Sequence, residues 1–463
     1  MIVWILVVAA AVGLVLFSIA ILSVGRLMVA QRNSPTPSIS PITTATPTPS
    51  VASVEATPQP TPSVGTSKQI AAQSPATANV TDLINQARSE AEAQQYDKAV
   101  TDYTEATRLK PDYAEAYNGR GEVYFKLKQY DKAVSDYDEA IRIKSDFAEA
   151  YSNRAFAYTR VGQFEKAIAD CNEAIRIKPD FAEAYKNRAN PHNGLKQYQD
   201  AIADSNEALR LKPDYAEAYV NRAISYNGLN QYDKAVADCD DAVRIKPKLF
   251  QAYLARGNAR NQLEQYDKAI ADLSQVIDMQ PDVADAYFYR GYSYNCLKQY
   301  EAGIADSTEA IRLNPKYANA YNNRGYAHNC LKQYDAAIAD YTEAIRADPN
   351  LVLAYSNRGI VYFTLKRYEA GIADYTEAIR LSPNVASLYV PRGYAYNCLK
   401  QYDLGIADCS EAIRLDPNLA LAYLNRAFAY QQVHENEKAR ADRVKGERLQ
   451  NGQKPGVDRP ARK

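Results

Sequence analysis

The chain has 463 residues, more than one compact core organises as a single body. Lys+Arg and Asp+Glu both number 55, and this zero formal balance argues against an overall electrostatic binder of nucleic acid. The 37 tyrosines are an excess for this length, and most of them fall at three recurring positions.

Residues 2–25 carry no charge and begin Ile-Val-Trp-Ile-Leu-Val-Val. At about 1.5 Å per residue such a run spans a bilayer core, and Trp4 suits its interface. No Lys or Arg precedes it and the apolar stretch is long, so residues 1–32 are expected to be an uncleaved transmembrane anchor with its flank rather than a signal peptide. Arg26 and Arg32 follow the run, and the positive-inside rule then favours a cytoplasmic bulk. The next segment resembles spacers of extracytoplasmic proteins, which leaves that side open as well. Residues 33–79 are rich in Pro, Thr and Ser and are expected to form a disordered linker.

From residue 80 the chain repeats. Tyr96, Tyr130, Phe164, Tyr198, Tyr232, Tyr266, Tyr300, Tyr334, Tyr368 and Tyr402 stand 34 residues apart without insertion. In the unit 114–147, one helix is predicted from about Ala114 to Leu127 and a second from about Asp131 to Ile143. We call these helices A and B. Proline closes most units, for example Pro179, Pro213 and Pro315, because it cannot continue helix B. Small residues recur on helix A (Gly121, Ala155, Gly325) and on helix B (Ala133, Ala167, Gly371), where the helices must approach closely. Pro191 and Pro391 fall inside helix A, where each is expected to kink or shorten it. Residues 446–463 are polar and mildly basic, and a disordered tail is expected there.

The order of aromatic, Gly/Ala, Tyr, Ala, aromatic, Ala and Pro is carried in one unit by Tyr321, Gly325, His328, Ala337, Tyr341, Ala344 and Pro349. This pattern resembles the tetratricopeptide repeat (TPR) family over residues 80–445. The resemblance implies an all-α right-handed superhelix of about ten helical hairpins plus a C-terminal capping pair, with a concave wall built from helix A. It also implies protein partners rather than catalysis.

Two sets of side chains stand out in this frame. Arg154, Arg222, Arg324 and Arg358 on A helices, with Asp170, Asp238, Asp340 and Asp374 on B helices, are expected to form a partly buried ladder. Asparagines form two rows on the arc of helix A turned from the core: Asn153, Asn187, Asn221, Asn323, Asn357 and Asn425, then Asn193, Asn227, Asn261, Asn295, Asn329 and Asn397. Asn both donates and accepts, so the rows are expected to hold the backbone of an extended peptide, resembling the Asn ladder in the TPR region of the sugar transferases that modify Ser/Thr. A chaperone-tail clamp is matched by Lys186, Asn190 and Asn221, but Gln251 and Ala255 stand where it needs Lys and Arg.

The six cysteines form no close pair and read as small hydrophobes; unpaired thiols tilt toward a reducing compartment. No cofactor, metal or catalytic constellation emerges. The expectation is a non-enzymatic scaffold or adaptor at a membrane, binding extended segments of other proteins, with no nucleic acid and no small-molecule substrate. A membrane-anchored co-chaperone, or an accessory subunit of an envelope glycan enzyme, are the other readings.

Overall fold

A computed structural model describes residues 80–451. The apolar run 2–25, the linker 33–79 and the end of the tail lie outside the described residues. No helix among the described residues is long and apolar enough to cross a membrane. These residues form 22 helices and no strand. They fall into two compact units, 80–259 and 260–451, each a run of hairpins packed on its neighbours in sequence.

The hairpin is nearly invariant. Helix A has 13 residues, as in Ala114–Lys126, and helix B has 14, as in Tyr130–Ile143. The chain turns between them in two residues beyond the cap. Gln129 N–H donates to Tyr124 O at 2.9 Å and Lys128 N–H to Phe125 O at 2.9 Å, which is the Schellman pattern. That pattern needs a left-handed residue, and Lys128 takes it with φ 60°. Equivalent residues from Gln94 to His434 do the same, and Gly162 is the one glycine among them. Gln129 then starts helix B at once by accepting from Ala133 N–H.

Volumes match across each hairpin. Where helix B presents Tyr137, Tyr341 or Tyr375, helix A places Gly121, Gly325 or Gly359 beneath the ring. A methyl group on Gly325 would stand 2.9 Å from the Tyr341 ring. Where helix B carries buried Cys171 or Cys239 instead, helix A carries Ala155 or Ala223. Cys171, Cys239 and Cys409 are buried thiols, Cys409 facing Gly393, and burial pushes Cys409 up to about 12.

Two expectations are corrected here. Helix A runs unbroken through Pro191 (Ala182–Gly194) and through Pro391 (Ala386–Cys398), so neither proline shortens its helix. Pro191 is buried, and the packed neighbouring helices hold the backbone on course despite the missing N–H. The last helix, Asn436–Gln450, extends past residue 446. It does so because Gly446 is buried against Leu424, which ties the turn that sequence polarity assigns to a tail.

Candidate functional site: the helix A face

The ladder arginines are fixed by both helices of their own hairpin and by the one before. Arg154 grips Asp170 with Nε at 2.7 Å and Nη2 at 2.6 Å, and Nη1 donates to Asp138 at 2.6 Å on the preceding helix B. Arg222 holds Asp238 in the same fork and reaches Asn206. Arg324 holds Asp340 and reaches Thr308; Arg358 holds Asp374 and reaches Thr342. Each arginine therefore clasps consecutive hairpins. Burial raises the carboxyls of Asp170, Asp238 and Asp374, and the guanidinium bonds oppose that shift. The backward partner was missed in the sequence. Its signal is a polar residue 16 positions before every such arginine, seen at Asp138, Asn206, Thr308 and Thr342.

The asparagine rows are placed differently from the expectation. Asn187, Asn221, Asn323, Asn357, Asn227, Asn261, Asn295 and Asn397 are buried. Asn153, Asn193, Asn329 and Asn425 are half-buried. In the first row, four of the six Nδ2 groups point back to the preceding A helix. Asn153 donates to Asn118 and Glu122, Asn187 to Ser152, Asn221 to Lys186 O and Asn357 to Asn322. Asn323 instead donates to Ser307 on helix B of the preceding hairpin.

In the second row, five of the six Nδ2 groups point forward to a backbone carbonyl 28 residues on. Asn193 donates to Asn221 O, Asn227 to Ala255 O, Asn261 to Tyr289 O, Asn295 to Asn323 O and Asn397 to Asn425 O. The physical reason for the correction is spacing. Neighbouring A helices pack closely enough for a short amide to bridge them, so nine of the twelve amides stitch A helices together and do not offer that donor to a ligand. For Asn187, Asn227, Asn295 and Asn397 the Oδ1 acceptor is buried as well.

What the face leaves open lies at another register. Tyr292, Tyr326, Ile360 and Tyr394 are half-buried and Phe428 is 48% exposed. They stand one repeat apart within residues 260–451, at a position of helix A where 80–259 carries Glu122, Phe156, Asn190 and Ile224. The regular 34-residue register could have found this row; the conspicuous asparagines drew the reading away from it. Lys186, part of the clamp pattern, is engaged: its ammonium lies 3.2 Å from Glu183 and over the Phe156 and Tyr215 rings.

No curated protein matches the chain. Solved structures are similar to it at low identity. The Cut9–Hcn1 hetero-tetramer of APC/C is 17% identical, covering 81% of this chain and 88% of that one, with TM-score 0.47. A tetratricopeptide repeat protein from Parabacteroides merdae is 20% identical, covering 54% and 99%, with TM-score 0.44. Yeast Tom70 is 14% identical, covering 80% and 92%, with TM-score 0.40. Models of the tetratricopeptide repeat match residues 148–181, 318–351, 352–385 and 187–249, and a further TPR model matches 87–128, 121–162 and 257–297. These matches together span more than half of the chain in the register of the hairpins described above, and the chain belongs to the tetratricopeptide repeat family.

Proposed function

We propose that this protein is a non-catalytic scaffold that binds extended segments of other proteins along its helix A face, at a membrane to which residues 2–25 anchor it. The observation that supports the binding reading most is the row Tyr292, Tyr326, Ile360, Tyr394 and Phe428, apolar side chains at one register that retain exposed surface. Apolar anchors at a regular step suit a chain laid across successive helices, with affinity from burying those anchors. The Asn rows contribute the rigidity of that surface rather than contacts to the segment. The uncharged length of residues 2–25 supports the membrane reading.

A photoreactive phenylalanine analogue at position 428 or 394 tests the binding reading. Irradiation in cells is expected to crosslink discrete proteins, and the same analogue on exposed helix B positions is expected to give none of them. Identical crosslinks from both faces would sink it. Removing residues 2–25 is expected to move the chain from the membrane fraction to the soluble fraction; unchanged membrane association would refute the anchor.

A further inference from the structure

One carboxylate on the helix A face differs from its counterparts. In three hairpins of the first compact unit, the second residue of helix A is a glutamate whose partner is a lysine 29 residues on. Glu115 meets Lys144 at 3.4 Å, Glu149 meets Lys178 at 3.3 Å and Glu217 meets Lys246 at 2.7 Å. An aromatic ring completes the arrangement, with Lys144 4.8 Å from the Phe147 centroid and Lys178 4.8 Å from that of Phe181. The Lys144 and Lys178 ammoniums thus sit between a carboxylate and a ring face, a geometry that favours a cation by charge and by the ring quadrupole, whereas Leu249 stands at the ring position beside Lys246.

Asp285 occupies the same position of helix Ala284–Cys296. Residue 29 on is Asn314, whose Oδ1 accepts the backbone N–H of Lys316 within its own turn. The ring is Tyr317, whose hydroxyl donates to Asp285 Oδ1 at 2.7 Å. Phe288, one turn along the same helix face, packs against Tyr317 at 5.0 Å. Asp285 therefore has carboxylate and rings but no ion pair among the described residues. Phe288 and Tyr292 follow it at the spacing of one helix face, so the group is continuous with the open apolar row.

We propose that Asp285, Phe288 and Tyr317 form a seat for a lysine ammonium supplied by the bound segment. The chain's own lysines show what the arrangement holds: a primary ammonium on a flexible stem. The seat rests on the reading of the helix A face as a binding surface, and gives that surface a charge preference and a register. Burial raises the Asp285 carboxyl while the Tyr317 bond opposes it, which accords with a site that gains from a ligand's positive charge.

A random peptide library selected on the full chain tests this. Wild type is expected to enrich lysine at one fixed register. Asp285→Asn removes the charge and is expected to cut that enrichment about tenfold, the scale of one charged hydrogen bond. Asn314→Lys supplies the chain's own ammonium, as at Lys144, and is expected to cut it similarly while melting no lower than wild type. This second variant keeps the test valid if the first folds poorly. Peptides selected without lysine, or lysine enrichment unchanged by both variants, would overturn the seat and leave the binding face standing. Selection of no sequence at all would overturn both.

Discussion

Asn227 shows how much of this protein is decided at single atoms. Its Nδ2 is bonded to Ala255 O, yet its Oδ1 is buried without a donor. Asn193 and Asn261 make the same forward tie, and there Ser225 and Ser293 donate to Oδ1 at 2.7 and 2.6 Å. The position that would supply the donor to Asn227 is Ala259. Ala259→Ser is therefore expected to raise stability by about 1 kcal/mol, and Ser225→Ala to lower it by a similar amount, read from denaturant unfolding.

A second residue-scale case is the first hairpin. There Gln86 stands where later hairpins have the ladder arginine, so Asp102 meets Glu90 instead. Burial, and then the nearby Glu90 carboxyl, raise Asp102 above its ordinary 3.8. For a raised carboxyl the stabilising contribution is complete below that ordinary value and is lost as pH rises through the folded one. Gln86→Arg restores the missing rung. Its advantage in melting temperature over wild type is expected to grow from about pH 4 to about pH 7. A constant difference would contradict this account.

At the scale of the element, the A–B hairpin and its closing proline were plain in the sequence because a 34-residue register repeats them. The turn conformation was not. Ten of the left-handed positions carry side chains such as Lys298 and Lys332, and only Gly162 hints at the backbone they share. Lys298→Gly is expected to stabilise by about 0.5–1 kcal/mol, because the left-handed penalty exceeds the added chain entropy. Asn230→Gly is expected to gain less, since Asn tolerates that region. Thermal melts of the two variants decide it.

The prolines were misread for the opposite reason: a local rule was applied where tertiary packing prevails, and both helices continue. The ladder is legible as Arg and Asp, but its second bond goes to residues of varied type, Asp138, Asn206, Thr308 and Thr342, on the preceding hairpin. Removing one side of a clasp leaves a half-buried guanidinium without its carboxylate. Asp238→Ala is expected to cost about 3–5 kcal/mol, and a wild-type melting temperature would reject the clasp as a structural element.

For the whole molecule, each compact unit is a sum of hairpins and the ties between them, so stability rests on nearest-neighbour terms. Charge-assisted clasps run from helix A to two B helices, and asparagine ties run from helix A to helix A. This consumes most of the polar groups that sequence alone offered as ligands. Periodicity reports which face a residue shares, but not how close the next helix stands; that distance turns Asn187 or Asn261 from a contact residue into a tie.

The surface left for a partner is the row from Tyr292 to Phe428, with Asp285 beside its start. The most direct measurement is the affinity of a crosslinked partner segment for the full chain and for the Tyr394→Ala/Phe428→Ala variant, with melting curves for both. The account predicts at least about tenfold weaker binding at an unchanged fold, the scale of losing two buried aromatic anchors. Equal affinity for the two would contradict it and move the binding surface off the helix A face.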